Sequence, residues 1–597
     1  MCGIAGEIFF RSGQAVQGRV WSMVSALKHR GPDELSIAST PNGQVGCARL
    51  RIVGGDFGRQ PFHSVDGAVT VVCNGEIYNS HDLAMMLGRS HSPESDCSVI
   101  PELYRQYGDK FLERIRGQFA LAVVDWTEQT LILARDRFGK VPLFYKVTDE
   151  SILFASEVKA ILAVSDEKAQ LDPVSLVETA VHYGPATDRT CFRSVQAVPP
   201  GASLSVDLRK GQYTLRSYWQ LGQPAAFNRY PSGTSTAAEF RAKLRMAVER
   251  RLQGDGPVGV YVSGGIDSSS IAALLTSIRS SDVTAFSVAF PGTSVDESEY
   301  VRDLTAYLNL PLISQTCSGS SAARDLAKTV WHSEVPLTRS APIPLFQLSA
   351  SVAKHGFKVV LSGEGADELL RGYPVFEKGM STVESRASGV QAFLSLLSAA
   401  AREEVLDRGI PCVVVRDDEA RYALAGYQVT EIETKLMRYL LAAQGDRVSM
   451  AHGVEQRYPF LDEEIYDWLI DNGDQNKVGK TLLRHACAAD LPSALLHRKK
   501  QGYVAPDGDL LRSPIGTILM ERLTSEASVE DLGYFSYPHV LAAKTMFSGQ
   551  PPMCSEFVGV DPIPLLLWVM TTHILHHQHV APYHPFEISE LAYRDMT

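Results

Sequence analysis

The 597-residue chain lacks most of what would take a protein out of a reducing, aqueous compartment. Its longest apolar stretch near the end, Pro562 to Leu575, is broken by prolines and His573 and is too short to span a bilayer. The N-terminus has no basic segment followed by a long apolar one, so no secretory signal is visible. Cysteines number nine, an odd count without a CxxC pair, which argues against a disulfide framework. Positive charge is in deficit: the formal charge of −11 disfavours nucleic acid as the main partner. Repeats, heptad runs and low-complexity tails are also missing. A cytoplasmic, multidomain protein with no membrane contact is the expectation, and length implies two to four domains.

Against this background one loop stands out, Ser263-Gly264-Gly265-Ile266-Asp267-Ser268-Ser269. It follows the apolar run Val258 to Val262 and precedes the helix-like run Ile271 to Leu275. Adjacent glycines let backbone N–H groups approach a phosphate, and the helix that follows points its positive end at the anion. Ser263, Ser268 and Ser269 supply hydroxyls, and Asp267 could hold a magnesium ion (Mg2+) against phosphate oxygens. The plainer alternative is a strand-to-helix turn capped by serines. Beyond it, strand-like and helix-like runs alternate: Val283 to Phe290, Glu297 to Leu308, Leu312 to Thr316, a helix to His332, then Lys358 to Leu361. That alternation predicts a doubly wound parallel sheet with ligands beyond the strands' carboxyl ends. The last of these strands runs into a second acidic loop, Ser362 to Glu368, whose Asp367 could share magnesium with Asp267.

At the other end, Cys2 either begins a strand as a small buried residue or, once Met1 is removed, carries a free α-amine beside its own thiol. Such an amine titrates at about 7.7–8.0 and can serve as the base for the nucleophile it sits on. The acyl chemistry that follows needs oxyanion donors. Asn74-Gly75 after the apolar strand Val69 to Cys73 could aim an amide and a glycine N–H at one point, or form an ordinary turn. Arg49 and Asp96 add a cation and a carboxylate, each of which alone is most simply solvated.

In order and spacing these residues resemble the glutamine-hydrolysing domain of class II amidotransferases. Gly117 to Val123, Arg135 to Tyr145 and Ala155 to Ala160 continue the likeness. The resemblance implies an α+β N-terminal-nucleophile fold, two antiparallel sheets between helices (αββα). It implies Cys2 as nucleophile, Asn74 and Gly75 as oxyanion hole, Arg49 on the glutamine α-carboxylate and Asp96 on its ammonium. Ile52, Val53 and Glu76 match other pocket positions. This domain is expected over residues 1–222, with a Pro-, Gly- and Ser-rich linker at 223–236 and a second domain over 237–597.

The second domain resembles the ATP-pyrophosphatase domain of glutamine-hydrolysing asparagine synthetases, an α/β unit with a helical C-terminal part. The pattern recurs at Asp446 to Ala451, Glu455 to Asp462, Gly479 to Arg484 and Arg498 to Tyr503; past about Leu511 no functional motif is recognised. It implies ATP and magnesium as cofactors and an acceptor carboxylate attacking the α-phosphate. The acyl-adenylate so formed yields an amide when ammonia displaces AMP. By family position, Lys500 assists pyrophosphate departure, Glu364 positions or deprotonates the amine, and Val288, Ser362 and Gly363 surround the adenosine. Tyr261 replaces an aliphatic residue near the adenine, Arg371 stands where glycine is usual, and Thr338 and Arg339 match the acceptor segment only with a shift.

Aspartate is therefore the first expectation for the acceptor, with another carboxylate of a specialised pathway as the alternative. An ammonia-independent β-lactam or peptide cyclase would have no use for the glutamine pocket. A scaffold would predict decay of a catalytic motif, and sugar-phosphate or phosphoribosyl amidotransferases share the first domain but lack an ATP-pyrophosphatase loop. His573, His576, His577 and His579 lack carboxylate or cysteine partners at ligand spacing, so they read as packing or surface residues. Expected partners are small molecules, and a homodimer is left open.

Overall fold

The computed structural model describes residues 1–10, 18–89, 93, 95–222, 237–279, 281–378, 389–409, 426–471, 478–498 and 502–580. The expected linker, 223–236, and Lys500 lie outside the described residues.

Two six-stranded sheets are built from strands between Gly3 and Ser217, and every pairing in them is antiparallel. Strand Gly3–Phe9 sits between Gly43–Arg49 and Ser151–Ala155, so residue 2 emerges from the middle of a sheet. Its seven residues are all buried, because both faces are covered. Helix Arg19–Ala26 packs on one sheet, and helix Ile100–Tyr107 packs on strand Val69–Ile77 of the other. This is the αββα arrangement that the resemblance implied.

Asn74 and Gly75 do not follow the strand as the sequence suggested; they lie within it, at the register of Ala120 and Phe119. The strand tolerates the Asn-Gly pair because the neighbouring chain fills the space. A Cβ on Gly75 would stand 2.1 Å from the Gln118 carbonyl oxygen, and its φ of 151° is one that other residues rarely adopt.

The remaining strands form a five-stranded parallel sheet. Val258–Tyr261 is central, flanked on one side by Val283–Ala289 and then Leu312–Thr316, and on the other by Val359–Leu361 and then Glu455–Arg457. The first four match the alternating sequence pattern. The fifth escapes it because Glu455-Gln456-Arg457 is polar yet fully buried. Strand order reverses between the parallel neighbours Val258–Tyr261 and Val359–Leu361, which is the topological switch point of a doubly wound sheet. Helix Pro342–Lys354 covers one face through Leu348 and Val352, and helices Ala237–Arg250 and Ile266–Ile278 belong to the core on the other. Helices from Pro514 to His579 complete the helical C-terminal part. Among the described residues no helix is long and apolar enough to cross a membrane.

The polar fifth strand is explained by what it faces. Glu455 receives the Met1 ammonium, Arg457 pairs with Glu455 at 2.6 Å and with Glu76 at 3.2 Å, and Gln118 donates to the Gln456 carbonyl at 3.1 Å. Nearby, Arg30 bridges Glu157 and Asp446, all three inaccessible to solvent. Glu334 accepts from the backbone N–H groups of Val158 and Lys159 at 2.9 and 2.7 Å, capping helix Val158–Leu162 from outside its own domain. Removing one partner of a buried pair leaves an uncompensated charge at about 3–5 kcal/mol, whereas an exposed pair contributes about 0–1 kcal/mol. Arg30→Met is therefore expected to lower unfolding stability in urea by about 3–5 kcal/mol. Lys358→Met, which removes a half-exposed pair with Asp33, should cost under about 1 kcal/mol in the same titration.

Candidate active sites

Around Cys2 the structure assembles residues from three strands and from the segments beside them. The Cys2 N–H donates to Asn74 Oδ1 at 2.7 Å, Asn74 Nδ2 donates to Ser156 Oγ at 3.3 Å, and that hydroxyl accepts from the Ile4 N–H at 2.9 Å. Arg30 Nε donates to the Cys2 carbonyl at 3.0 Å. A hydrogen bond from the Cys47 thiol, assisted by the Met1 ammonium, brings the Cys2 thiol down to about 7 against the opposing effect of burial. Cys47, Ser156 and Arg30 were not identified as site residues; a cysteine inside a buried strand carries no signal of a partner forty-five positions away in sequence.

The expected glutamine pocket is brought together around the same point. Asp96 accepts from the Ile77 N–H at 2.7 Å, and burial raises its pKa above the usual carboxylate range. Glu76 is raised further, by burial first and then by Asp96. Arg49 donates to the Gly55 carbonyl at 2.5 Å and approaches Glu34 at 3.4 Å, fastened to the loop that carries Val53. Ile52 is buried, and its carbonyl accepts from the Asp255 N–H at 3.4 Å, so this pocket wall rests on the second domain.

The two acidic loops leave adjacent parallel strands on either side of the switch point. Ser268 Oγ accepts from the Ser263 N–H at 3.1 Å and donates to the Gly265 carbonyl at 3.2 Å, curling the first loop onto the start of helix Ile266–Ile278. The second loop lies against it: a Cβ on Gly363 would stand 2.8 Å from the Ser268 nitrogen. Asp267 and Asp367 then meet at one point, which Lys480 Nζ occupies at 2.5 Å from each. Two carboxylates converging on one cation are the donor set a magnesium ion takes, so both residues fit the metal role expected of them. Lys480 lies in the Gly479 to Arg484 motif, but nothing in that run announces its placement between the two aspartates.

A cavity of 390 Å³ opens here, lined among others by Ser263, Gly265, Asp267, Ser268, Val288, Ser362, Gly363, Glu364 and Asp367. Gly264 is not in the lining; its carbonyl accepts from Arg498 at 3.0 Å. Tyr261 is in the wall, its hydroxyl tied to Ser349 at 3.0 Å. Arg339 reaches the cavity, whereas Thr338 is buried beside it and does not. The unusual Arg371 does not enter either. Its backbone takes the left-handed conformation (φ 50°) that a glycine would, and its guanidinium turns away to Gln428 at 3.1 Å. Arg371, which stands where glycine is usual, thus keeps a glycine-like backbone and sends its bulk and charge away from the cavity.

The C-terminal helices have a place in this arrangement. Thr571 Oγ1 accepts from the Leu337 N–H at 2.8 Å and donates back to its carbonyl at 3.1 Å, and Asp507 accepts from the Ser340 N–H at 2.7 Å. The segment carrying Thr338 and Arg339 is therefore clamped on both sides. The four histidines of helix Pro562–His579 are packing groups: His573 is buried, and His579 stacks on Trp331 with ring centroids 4.6 Å apart. A different trio, His29, Glu157 and His332, has metal-like spacing, but Glu157 already serves Arg30 and Lys159.

Comparison with known proteins agrees with the two-part architecture. A glutamine amidotransferase domain model matches residues 1–219, and an asparagine synthase model matches residues 239–548. Glutamine-hydrolyzing asparagine synthetase 1 of Bacillus subtilis is 28% identical over 561 residues, covering 85% of this chain and 87% of its own. Amidase chry2 of Gibberella zeae is 28% identical over 600 residues, with 86% and 88% covered. Amidase chyE of Penicillium rubens is 26% identical over 613 residues, with 88% and 90% covered. The chain belongs to the asparagine synthase family, as a glutamine-dependent ligase with an amidotransferase domain at its N-terminus.

Proposed function

We propose that the protein forms an amide from an acceptor carboxylate, with nitrogen from glutamine and activation by ATP. The observation that carries this reading is the meeting of Asp267, Asp367 and Glu364 in one cavity at the switch point of the parallel sheet. With Met1 removed, the Cys2 α-amine takes the thiol proton and Sγ attacks the glutamine amide carbon. Ammonia leaves, and water releases glutamate from the thioester. Arg49 and Asp96 hold the two ends of the amino acid, and the Asn74 amide and Gly75 N–H receive the oxyanion.

In the second cavity an oxygen of the acceptor carboxylate attacks the α-phosphorus of ATP and pyrophosphate leaves. Ser263, Gly265 and Ser268 hold phosphate oxygens, while Val288, Ser362 and Gly363 surround the adenosine. A divalent cation held by Asp267 and Asp367 would offset charge on the departing pyrophosphate. Lys480 is a further cation at the same place. Ammonia then attacks the acyl carbon, AMP departs, and Glu364 receives the surplus proton. Support for an ammonia-using ligase over a cyclase comes from the complete glutamine pocket around Cys2.

Cys2→Ala is expected to abolish glutamine-dependent amide formation and leave ammonia-dependent formation intact; full glutamine-dependent activity would refute the nucleophile assignment. Asp267→Asn should slow AMP and pyrophosphate release by about 10²–10³-fold even with ammonia supplied. ADP and phosphate as products would overturn adenylation. In the chain that still carries Met1, Cys2 alkylation by iodoacetamide should rise with pH through a midpoint about 7, since only the thiolate reacts. Cys47→Ala removes the thiol donor and should move that midpoint upward; mass spectrometry of the N-terminal peptide reads both.

A further inference from the structure

The family resemblance names a reaction but not its acid, and the cavity has walls that the two acidic loops do not supply. Tyr183, Arg339, Tyr373, Lys435, Leu440 and Tyr503 all face it, and Tyr183 is contributed by the first domain. Tyr183 ends helix Pro173–His182 in a left-handed conformation (φ 65°) and stacks on Tyr439, with centroids 5.2 Å apart and planes 29° from parallel. The Arg339 guanidinium lies 5.8 Å from the Tyr183 ring centroid, and Lys435 Nζ lies 3.5 Å over the ring of Tyr373. Lys435 and Leu440, five residues apart on the π-helix Ile432–Asp446, are presented together by its i to i+5 bonding.

The charges of this compartment are unsuited to a small amino acid. An α-ammonium buried here needs a carboxylate partner, because an unpaired one is strongly disfavoured. Among the described lining residues, Asp267 and Asp367 hold Lys480, Glu297 is paired with Arg498 at 2.5 Å, and Glu364 is the group assigned to ammonia. The other charged walls are two cations, Lys435, which pairs with Glu431 at 3.2 Å, and Arg339. Arg339 has no carboxylate within ion-pair distance among the described residues; it donates to the Tyr503 carbonyl at 3.4 Å and is held in place by the clamps on Leu337 and Ser340. A flat apolar body fits the same walls: ring faces gain by offset stacking on tyrosine, and an oxygen on such a body would meet Arg339.

We infer that the acceptor is an aromatic carboxylic acid without a free α-ammonium, its ring seated beside Tyr183, rather than aspartate. This rests on the reading of the cavity as the site where an acid is adenylated. Tyr183 is then a specificity-determining residue that the glutaminase domain lends to the synthetase site.

The test is ATP–pyrophosphate exchange by the full-length protein without glutamine or ammonia, using benzoate, cinnamate, indole-3-carboxylate, aspartate and glutamate in turn. At least one aromatic acid should raise exchange about tenfold or more over the acid-free rate, with aspartate at background. For that acid, Tyr183→Ala should raise the acceptor KM about tenfold, the scale of one lost ring contact, and leave the ATP KM and glutamine hydrolysis unchanged. Tyr183→Phe should keep the acceptor KM within about twofold, since the ring is retained. Exchange with aspartate and with no aromatic acid overturns the inference while leaving adenylation standing. Exchange with none of the five acids overturns it as well, and ADP as the product would remove the adenylation reading beneath it.

Discussion

The structure depends on burying charge between two domains without leaving it unpaired. Strand Glu455–Arg457 is the centre of that arrangement. Its Glu455 and Arg457 side chains carry full charges yet are inaccessible to solvent, a placement that holds because the two pair with each other, Glu76 and the carbonyls of Arg251 and Gln253 serve Arg457, and Glu455 faces the N-terminus of the chain, here the Met1 ammonium. Replacing such a set by apolar residues would be thermodynamically tolerable. What the charged version adds is registry, since each ion has one geometry in which it is satisfied and a shifted interface would strand several at once. Arg30 with Glu157 and Asp446, and Glu334 on the helix start at Val158, add further constraints of the same kind.

That registry sets the relation of the two sites. Arg457 touches Glu76, in the proposed glutamine pocket, while its own carbonyl accepts from the N–H of Ser362, the first residue of the second acidic loop, at 2.9 Å. One buried strand thus joins the walls of both sites through a single residue. The Ile52 carbonyl bonded to Asp255 and the Gly222 N–H bonded to the Tyr466 hydroxyl tie the same boundary at other points. The proposed glutamine pocket, resting partly on the second half of the chain, therefore has its shape fixed by how the two halves dock.

Much of this was legible in the sequence where chemistry sits in contiguous runs. The alternation of apolar strands with helices gave four strands of the parallel sheet, and the serine-glycine loop lies where strand, turn and helix placed it. The fifth strand was illegible because periodicity reads burial from hydrophobicity, and Glu455-Gln456-Arg457 is buried by ion pairing instead. Asn74-Gly75 misled in the opposite sense, a turn pair by composition that is held in a strand by the crowding of Gln118 and Phe119. The runs Arg135-Asp136 and Ser156-Glu157, part of the resemblance, resolve into structural work. Arg135 donates to the carbonyls of Val141, Val198 and Gly139, and Ser156 orients Asn74.

The acceptor compartment was beyond reach for a different reason: it is assembled from side chains far apart in sequence, and its departures from the family pattern are not all of one kind. Arg371 departs from the family pattern, but backbone geometry decides where its side chain goes. At φ 50° its Cα–Cβ bond is committed, the guanidinium is accepted by Gln428 and lies 5.6 Å over the Tyr427 ring, and the cavity is untouched. Tyr183, unremarkable in sequence at the end of an apolar helix, is placed in the wall by stacking on Tyr439. Backbone geometry and Gln428 take the Arg371 side chain away from the cavity, whereas stacking on Tyr439 keeps the Tyr183 ring in its wall.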